Sequence, residues 1–331
     1  MSPSRSIRVR VHYPDADARI VLRTDADWDR DLAPRRTAGR IHEFDVPATK
    51  AFHYFKPVRV DGDGRRWSRG DNHLALASRN RVDVHPHFGE DAACSVCAVH
   101  ELEDAAGVKH SYRVYFPPGY AENTLKRYPV LYMQDGQNLF FPDEAYGGHH
   151  WKVEETLKLL SGMSACEEVL VVGVYPNDRM REYTRPGYAA YGRFLAKTLK
   201  PAVDRDFRTL PGPGQTAVMG SSLGGDVSFH LARAYPHLFG KAACLSSTFG
   251  YRDDFARRVA RGKKRPVVFY LDSGWPGDNY EVTRDMAQLL RQRGYEDGRD
   301  LVCYAWPHAR HDEHHWAMRS HIPYQIFFGR G

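Results

Sequence analysis

The chain reads as an α/β protein: a mostly parallel sheet with helices on both faces, preceded by a small β-sandwich. Three observations lead there. From about residue 92 onward, apolar strand-like runs alternate with amphipathic helical stretches. Most of the later runs are apolar at successive positions, as a parallel sheet covered by helices requires. Before that point, residues 5–90 hold short alternating runs separated by Asp, Gly and Pro turns, and no good helix.

The elements follow in order. Ile7 to Tyr13 alternates like a half-buried strand, and Arg19 to Arg23 is a shorter one. Phe52 to Val60 is another, closed by the turn Asp61-Gly62-Asp63-Gly64. Strands at this spacing indicate a sandwich, assigned here to residues 1–90, with Asn80 to Asp91 as linker and 91–331 as the α/β domain. In that second domain the pattern predicts strands at Ser95 to Glu101, Ser111 to Phe116, Pro129 to Met133 and Val169 to Tyr175. Further strands are expected at Thr216 to Met219, Ala243 to Ser246, Pro266 to Leu271 and Leu301 to Trp306. Helices are expected at Trp151 to Leu160, Tyr191 to Asp204, Val227 to Tyr235 and Asn279 to Arg293.

At 331 residues the chain has room for one large domain and one small one. No run approaches a membrane span. Met1 to Arg10 lacks the apolar core of a secretory signal, so a cytoplasmic setting is expected. Five cysteines (Cys94, Cys97, Cys166, Cys244, Cys303) are scattered and mostly apolar in context, which fits reduced thiols. Cys94 and Cys97 have C-x-x-C spacing, but no second pair follows them, so no metal or redox site is assigned. The formal charge of +6 is carried by arginines spread along the chain. No aromatic-interleaved basic stripe or nucleic-acid motif accompanies them.

The segment Gly220-Ser221-Ser222-Leu223-Gly224 fits G-x-S-x-G between an expected strand and an expected helix. That is the nucleophile elbow of an α/β-hydrolase, with Ser222 on a sharp turn that tolerates only glycine two residues either side. A serine hydroxyl needs a histidine to take its proton and an acid to orient that histidine. In this fold the order is Ser, acid, His. The strand at 266–271 runs into a loop with two candidate acids: Asp278, placed to reach across to the histidine, and Asp272, nearer the strand end. Asp278 is preferred. Beyond the last strand, His308, His311, His314 and His315 crowd together. His311 opens the expected terminal helix with Asp312 and Glu313 in its first turn and is taken as the base, with His308 the second choice. His311 and His315 would also share a helical face with Glu313 between them. The order differs from H-E-x-x-H and no third ligand presents itself, so no metal is assigned. Oxyanion donors are expected at the backbone N–H of Leu223 and, from Gln134-Asp135-Gly136-Gln137-Asn138, at that of Gln137.

These blocks resemble the serine esterases grouped with enterochelin esterase, esterase D, feruloyl esterases and mycolyltransferases. The resemblance rests on Tyr115 to Tyr120, Tyr128 to Phe140, Gly220 to Gly225, and His311 with Glu313 and Trp316. It implies the oxyanion donor just after the Asp135-Gly136 pair, matching Gln137, and the histidine of an H-x-E-x-x-W stretch, matching His311. The acid beyond a glycine matches Asp278. The N-terminal part is similar to the immunoglobulin-like domains that precede such esterases. The expected activity is hydrolysis of a small-molecule carboxylic ester through an acyl-enzyme, without cofactor. A substrate lip is expected at Trp151, Arg179, Arg181, Glu182, Tyr183 and Arg185, where the arginines would either suit an anionic ester such as a catecholate siderophore or stand as solvated surface charges. An acyltransferase on the same triad, or a non-catalytic carbohydrate-associated scaffold, is the alternative. The oligomeric state is left open.

Overall fold

The computed structural model describes residues 6–89 and 95–330, in two compact units. Cys94 and the expected boundary at 90/91 lie outside the described residues. Among those residues no helix is long and apolar enough to cross a membrane.

Among its described residues the first unit holds nine strands: β1 (Ser6–His12), β2 (Arg19–Thr24), β3 (Asp27–Leu32), β4 (Arg36–Ala38), β5 (Ile41–Pro47), β6 (Phe52–Asp61), β7 (Gly64–Trp67), β8 (His73–Leu76) and β9 (Arg81–Val84). They form two sheets, ordered β4-β5-β1-β9 and β3-β2-β6-β7 with β8 on β6. Alternation explains the packing. Ile7, Val9 and Val11 of β1 and Phe44 and Val46 of β5 share one buried core with Ile20 and Leu22 of β2 and Phe55 of β6. Residues 117–126 complete this unit, although the sequence pattern gives no hint of it. There Glu122 accepts from the Phe88 and Gly89 N–H groups and the Tyr13 hydroxyl, while Asn123 Nδ2 donates to the carbonyls of His12 and Pro86.

The second unit contains β10 (Ser95–Val96), β11 (His100–Glu103), β12 (Lys109–Phe116), β13 (Val130–Met133), β14 (Leu170–Val174), β15 (Thr216–Ser221), β16 (Lys241–Leu245), β17 (Val268–Trp275) and β18 (Leu301–Pro307). The sheet runs β10-β12-β14-β13-β15-β16-β17-β18, with β11 also on β12. From β14 to β18 every pairing is parallel, and β12 joins β14 antiparallel. β13, β14 and β15 are buried at every residue, which is why their text shows no alternation. The single strand expected at 95–101 is broken into β10 and β11.

Among the described residues nine helices accompany the sheet: α1 (Val153–Gly162), α2 (Arg179–Tyr183), α3 (Tyr188–Phe194), α4 (Lys200–Asp206), α5 (Leu223–Ala234), α6 (Phe255–Arg261), α7 (Tyr280–Gln292), α8 (Glu313–Arg319) and α9 (His321–Phe328). A π-helical turn, Leu195–Leu199, links α3 to α4. α5 packs on β15 and β16, and α7 on β17 and β18. The structure moves two expected helix starts. α1 begins at Val153 because Lys152 is left-handed (φ 53°), so Trp151 stays outside the helix. α5 begins at Leu223 rather than Val227 and takes Gly224 and Gly225 into its first turn. Glycine is a poor helix former, but packing overrides propensity here. A Cβ on Gly225 would stand 2.1 Å from Ser247 Oγ.

Candidate active site

The parallel register brings the key loops together. Met133 pairs with Met219, so the segment leaving β13 runs beside the turn leaving β15. The Gln134 N–H donates to the Met219 carbonyl (2.9 Å). Ligands of open α/β sheets gather at such strand C-terminal ends, where the order of connection reverses. Here the chain passes from β14 across β13 to β15.

Ser222 stands between β15 and α5 at φ 54°, ψ −128°, a conformation L-residues rarely adopt. Its N–H is anchored on the Leu245 carbonyl (2.8 Å), and its own carbonyl accepts from Gly225 and Asp226. The turn is tight: a Cβ on Gly220 would come within 2.6 Å of Gly224 backbone. Ser222 therefore occupies the N-cap of α5, where the first N–H groups of a helix lack intrahelical acceptors. Among the described residues no acceptor holds the Leu223 N–H.

The facing loop is braced at several points. Asp135 adopts φ 55°, ψ 53° and caps a 3-10 turn, Gly136–Asn138. Gly136 fits because a Cβ there would meet Gly173 backbone at 2.7 Å. The Arg179 guanidinium donates to both Asp135 carboxylate oxygens, at 2.9 and 3.1 Å. The Asp135 N–H donates to the Tyr183 hydroxyl (3.1 Å). Asn138 Nδ2 donates to Glu313 at the start of α8 (3.1 Å). The Gln137 N–H, between these anchors, has no acceptor among the described residues.

Asp278 and His311 are in contact: Nδ1 of the imidazole lies 2.7 Å from Asp278 Oδ1. The Asp278 side chain is fully buried while His311 reaches solvent. The Asn279 N–H (2.8 Å) also donates to Oδ1, while the Gly274 N–H (2.8 Å) and the Ser246 hydroxyl donate to Oδ2. Burial alone would raise the Asp278 pKa. The hydrogen bonds from His311, Ser246, Gly274 and Asn279 overcome it and hold the carboxyl well below the usual carboxylate range.

The Ser246 proton has one place to go. Its oxygen accepts from Trp316 Nε1 (3.0 Å) and from the Arg319 guanidinium (2.6 Å), which fills both lone pairs. The hydroxyl must then donate to Asp278. Arg319 is itself buried and pairs with Asp272 at 3.0 Å, and Asp272 also accepts from the Tyr270 hydroxyl. Asp272 thus serves a buried ion pair, and the contact to the histidine belongs to Asp278. The ring of Trp316 meets His311 edge-on at 4.9 Å.

Two expectations about the histidines are corrected. His311 precedes the helix instead of opening it: α8 starts at Glu313, and Asp312 is its N-cap, accepting from the His315 N–H at 2.9 Å. His311 and His315 therefore share no helical face, and the His315 Nδ1 is bound to Asp312. His308, with φ 62°, donates its N–H to the Trp275 carbonyl. Among the described residues one trio, His150, Glu154 and Glu155, brings three metal-ligand atoms within 4.8 Å of one another. Burial pushes Glu154 up to about 7, toward the protonated form that repels no neighbour and holds a cation poorly.

The expected substrate lip is also revised. Trp151 and Tyr183 are buried, 3% and 1% exposed, so they pack instead of lining a rim. Trp151 stacks near Trp316 (6.1 Å), and Tyr183 lies under Arg179 (5.5 Å). Arg179 is turned inward to Asp135. Glu182 folds its own turn by accepting from the Asn177 N–H (3.0 Å). Arg181 and Arg185 remain exposed. Ser246 and Arg319 are the residues that sequence reasoning passes over.

Comparison with known proteins bears on the family and the fold. A family model described as "Putative esterase" matches residues 104–317. The uncharacterized protein YbbA of Bacillus subtilis is 24% identical over 220 residues, 58% of this chain and 81% of its own length. Among solved structures, a ferulic acid esterase superposes with a TM-score of 0.60 at 17% identity, over 71% of this chain and 98% of its own. The ferric enterobactin esterase of Salmonella typhimurium gives 0.58 at 13% identity, over 98% of this chain and 94% of its own. At these identities the structures speak for the fold. The family match spans most of the α/β unit, from the strands before β13 to the helix that follows His311, and by it the chain belongs to the esterase family.

Proposed function

We propose that the protein hydrolyses a carboxylic ester through an acyl-enzyme formed on Ser222. The observation that carries this reading is the Asp278–His311 contact combined with a left-handed serine at the N-cap of α5. Asp278 holds the Nδ1–H of His311, which leaves Nε2 to take the Ser222 proton as Oγ attacks the carbonyl carbon. The tetrahedral oxyanion receives the N–H groups of Leu223 and Gln137, which no other group among the described residues claims. His311 then gives its proton to the leaving alcohol. In the second half a water, deprotonated by His311, attacks the acyl carbon and Ser222 leaves with the proton restored.

The similar solved structures include a ferulic acid esterase, a ferric enterobactin esterase and the siderophore hydrolase EstB of Aspergillus nidulans. The first of these names denotes esters of an aromatic acid, and we place such esters first among the substrates. Arg181 and Arg185, exposed on the same segment as Arg179, favour an anionic one. The deciding experiment is fluorophosphonate labelling of wild type and Ser222→Ala, followed by a panel of nitrophenyl, feruloyl and catecholate esters. Absence of labelling on the wild type, or equal hydrolysis by both proteins, would overturn the reading.

A further inference from the structure

At the opposite end of α5 from Ser222, five arginines line one open cleft of about 480 Å³: Arg233, Arg257, Arg258, Arg261 and Arg265, with Gly262 among them. Ser222 precedes the first residue of α5, and Arg233 lies in its last turn. At 1.5 Å of rise per residue the two are about 16 Å apart along the helix axis, so the cleft is distinct from the serine site.

The charges in this cleft do not balance. Arg257 and Arg258 share a single carboxylate, Asp254, at 3.3 and 3.7 Å. Among the described residues no carboxylate comes within 4.0 Å of Arg233, Arg261 or Arg265. Arg233 forms the floor and is only 8% exposed, while Arg257, Arg261 and Arg265 stand exposed at the rim. Its neighbours are the Phe229 ring at 5.8 Å and the neutral Tyr295 hydroxyl. Burial, with Arg258 and Arg265 nearby, lowers the Arg233 pKa, the mark of a cation that lacks a counter-charge.

Helix electrostatics explains only part of this. Arg258 and Arg261 lie in the last turn of α6, where they complement its negative end. Arg233 complements the negative end of α5 in the same way, whereas Arg265 lies in no helix. Phe229 and Tyr295 offer Arg233 contacts but no negative charge, so its buried guanidinium lacks a carboxylate counter-ion. Among the described residues, Asp254 is the one carboxylate within 4.0 Å of these guanidiniums.

We propose that the cleft binds a small molecule carrying a diphosphate group. Guanidinium forks match phosphate oxygens two at a time, and three unpaired guanidiniums match the charge of a diphosphate better than that of a single phosphate. The volume falls in the range of small-molecule sites, about 300–1,000 Å³.

The test is calorimetric titration of the full chain with pyrophosphate at constant ionic strength of about 0.15 M, so that simple screening is held fixed. One-to-one binding is expected, with inorganic phosphate weaker by on the order of tenfold. Arg261→Gln with Arg265→Gln should weaken pyrophosphate by at least about tenfold, while Ser222→Ala binds as wild type. Arg233→Met should melt no lower than wild type without ligand, and should lose the rise in melting temperature that pyrophosphate gives the wild type. No heat and no melting shift up to about 10 mM pyrophosphate, equal affinity for phosphate, or undiminished binding by the double variant would each overturn the proposal.

Discussion

Replacing Arg319 by methionine tests whether the ion pair behind Asp278 holds this end of the site in place. Both partners are buried, with Arg319 1% and Asp272 0% exposed, and they stand 3.0 Å apart. Taking one member from a buried pair leaves the other as an uncompensated charge, at about 3–5 kcal/mol. In a domain of roughly 200 residues each kcal/mol moves the melting midpoint by about 2–4 °C. Arg319→Met should therefore melt about 6–20 °C below wild type by circular dichroism. Combining it with Asp272→Asn should recover only the part owed to Asp272, because Arg319 also stands 3.8 Å from the buried Asp278 carboxylate. The same variants separate the two aspartates by activity. Asp272→Asn should keep turnover of a nitrophenyl ester within about tenfold, because it makes no contact with His311, whereas Asp278→Asn should lose about 10⁴. The reasoning fails if Arg319→Met melts with wild type, or if Asp272→Asn is the inactive variant.

Three other expectations can be checked with the same reagents. Ser222→Ala and His311→Ala should each abolish ester turnover and leave the melting profile nearly unchanged, measured side by side. Arg179→Met frees the Asp135 carboxylate and loosens the loop that presents the Gln137 N–H. It should lower kcat by about 10–100-fold with KM little altered, since loss of one oxyanion donor outright costs about 10²–10³; an unchanged kcat would assign Arg179 to the surface alone. His230 is buried and its pKa is lowered to about 3, first by burial and then by Arg258. Its folded pKa lies below its unfolded value near 6.5, so the unfolded chain binds the extra proton between those limits. The stability it confers is complete above about pH 6.5 and fades as pH falls toward about 3, by up to about 1.4 kcal/mol per pH unit. His230→Gln should show a shallower decline than wild type in urea titrations between about pH 6.5 and 5. Parallel curves would refute the assignment. Comparing variants is necessary because Glu154, raised to about 7 by burial, contributes a slope of opposite sign above about pH 4.5.

Much of this architecture is written locally. Buried runs such as Val130–Met133 and Thr216–Ser221 declare themselves by composition, and alternation in Ile7 to Tyr13 declares the sandwich. Ser222, Asp278 and His311 stand out because each follows a strand, in the order the elbow motif calls for. Ser246 and Arg319 do not stand out. A serine at a strand end and an arginine in a helix carry no mark until β16, β17 and α8 meet around Asp278. The case of Arg179 is different again. Its place beyond β14 is legible, but the direction of its side chain is not: sequence cannot tell a guanidinium aimed at a ligand from one aimed at Asp135. The start of α5 is misplaced for a related reason, since the glycines that discourage a helix are demanded by contacts with Ser247 and with the chain across the elbow.

The bracing of Asp135 by Arg179 and Tyr183 bears on when the free energy of ordering is spent. Holding a loop residue in a left-handed conformation costs about 1–3 kcal/mol, and here the interior of the protein supplies the restraint during folding, before any ester arrives. Substrate binding then has no loop to organise, and its interaction energy is free to favour the reaction itself. Exposed positions such as Arg181 and Arg185, by contrast, can be varied without slackening the scaffold beneath them.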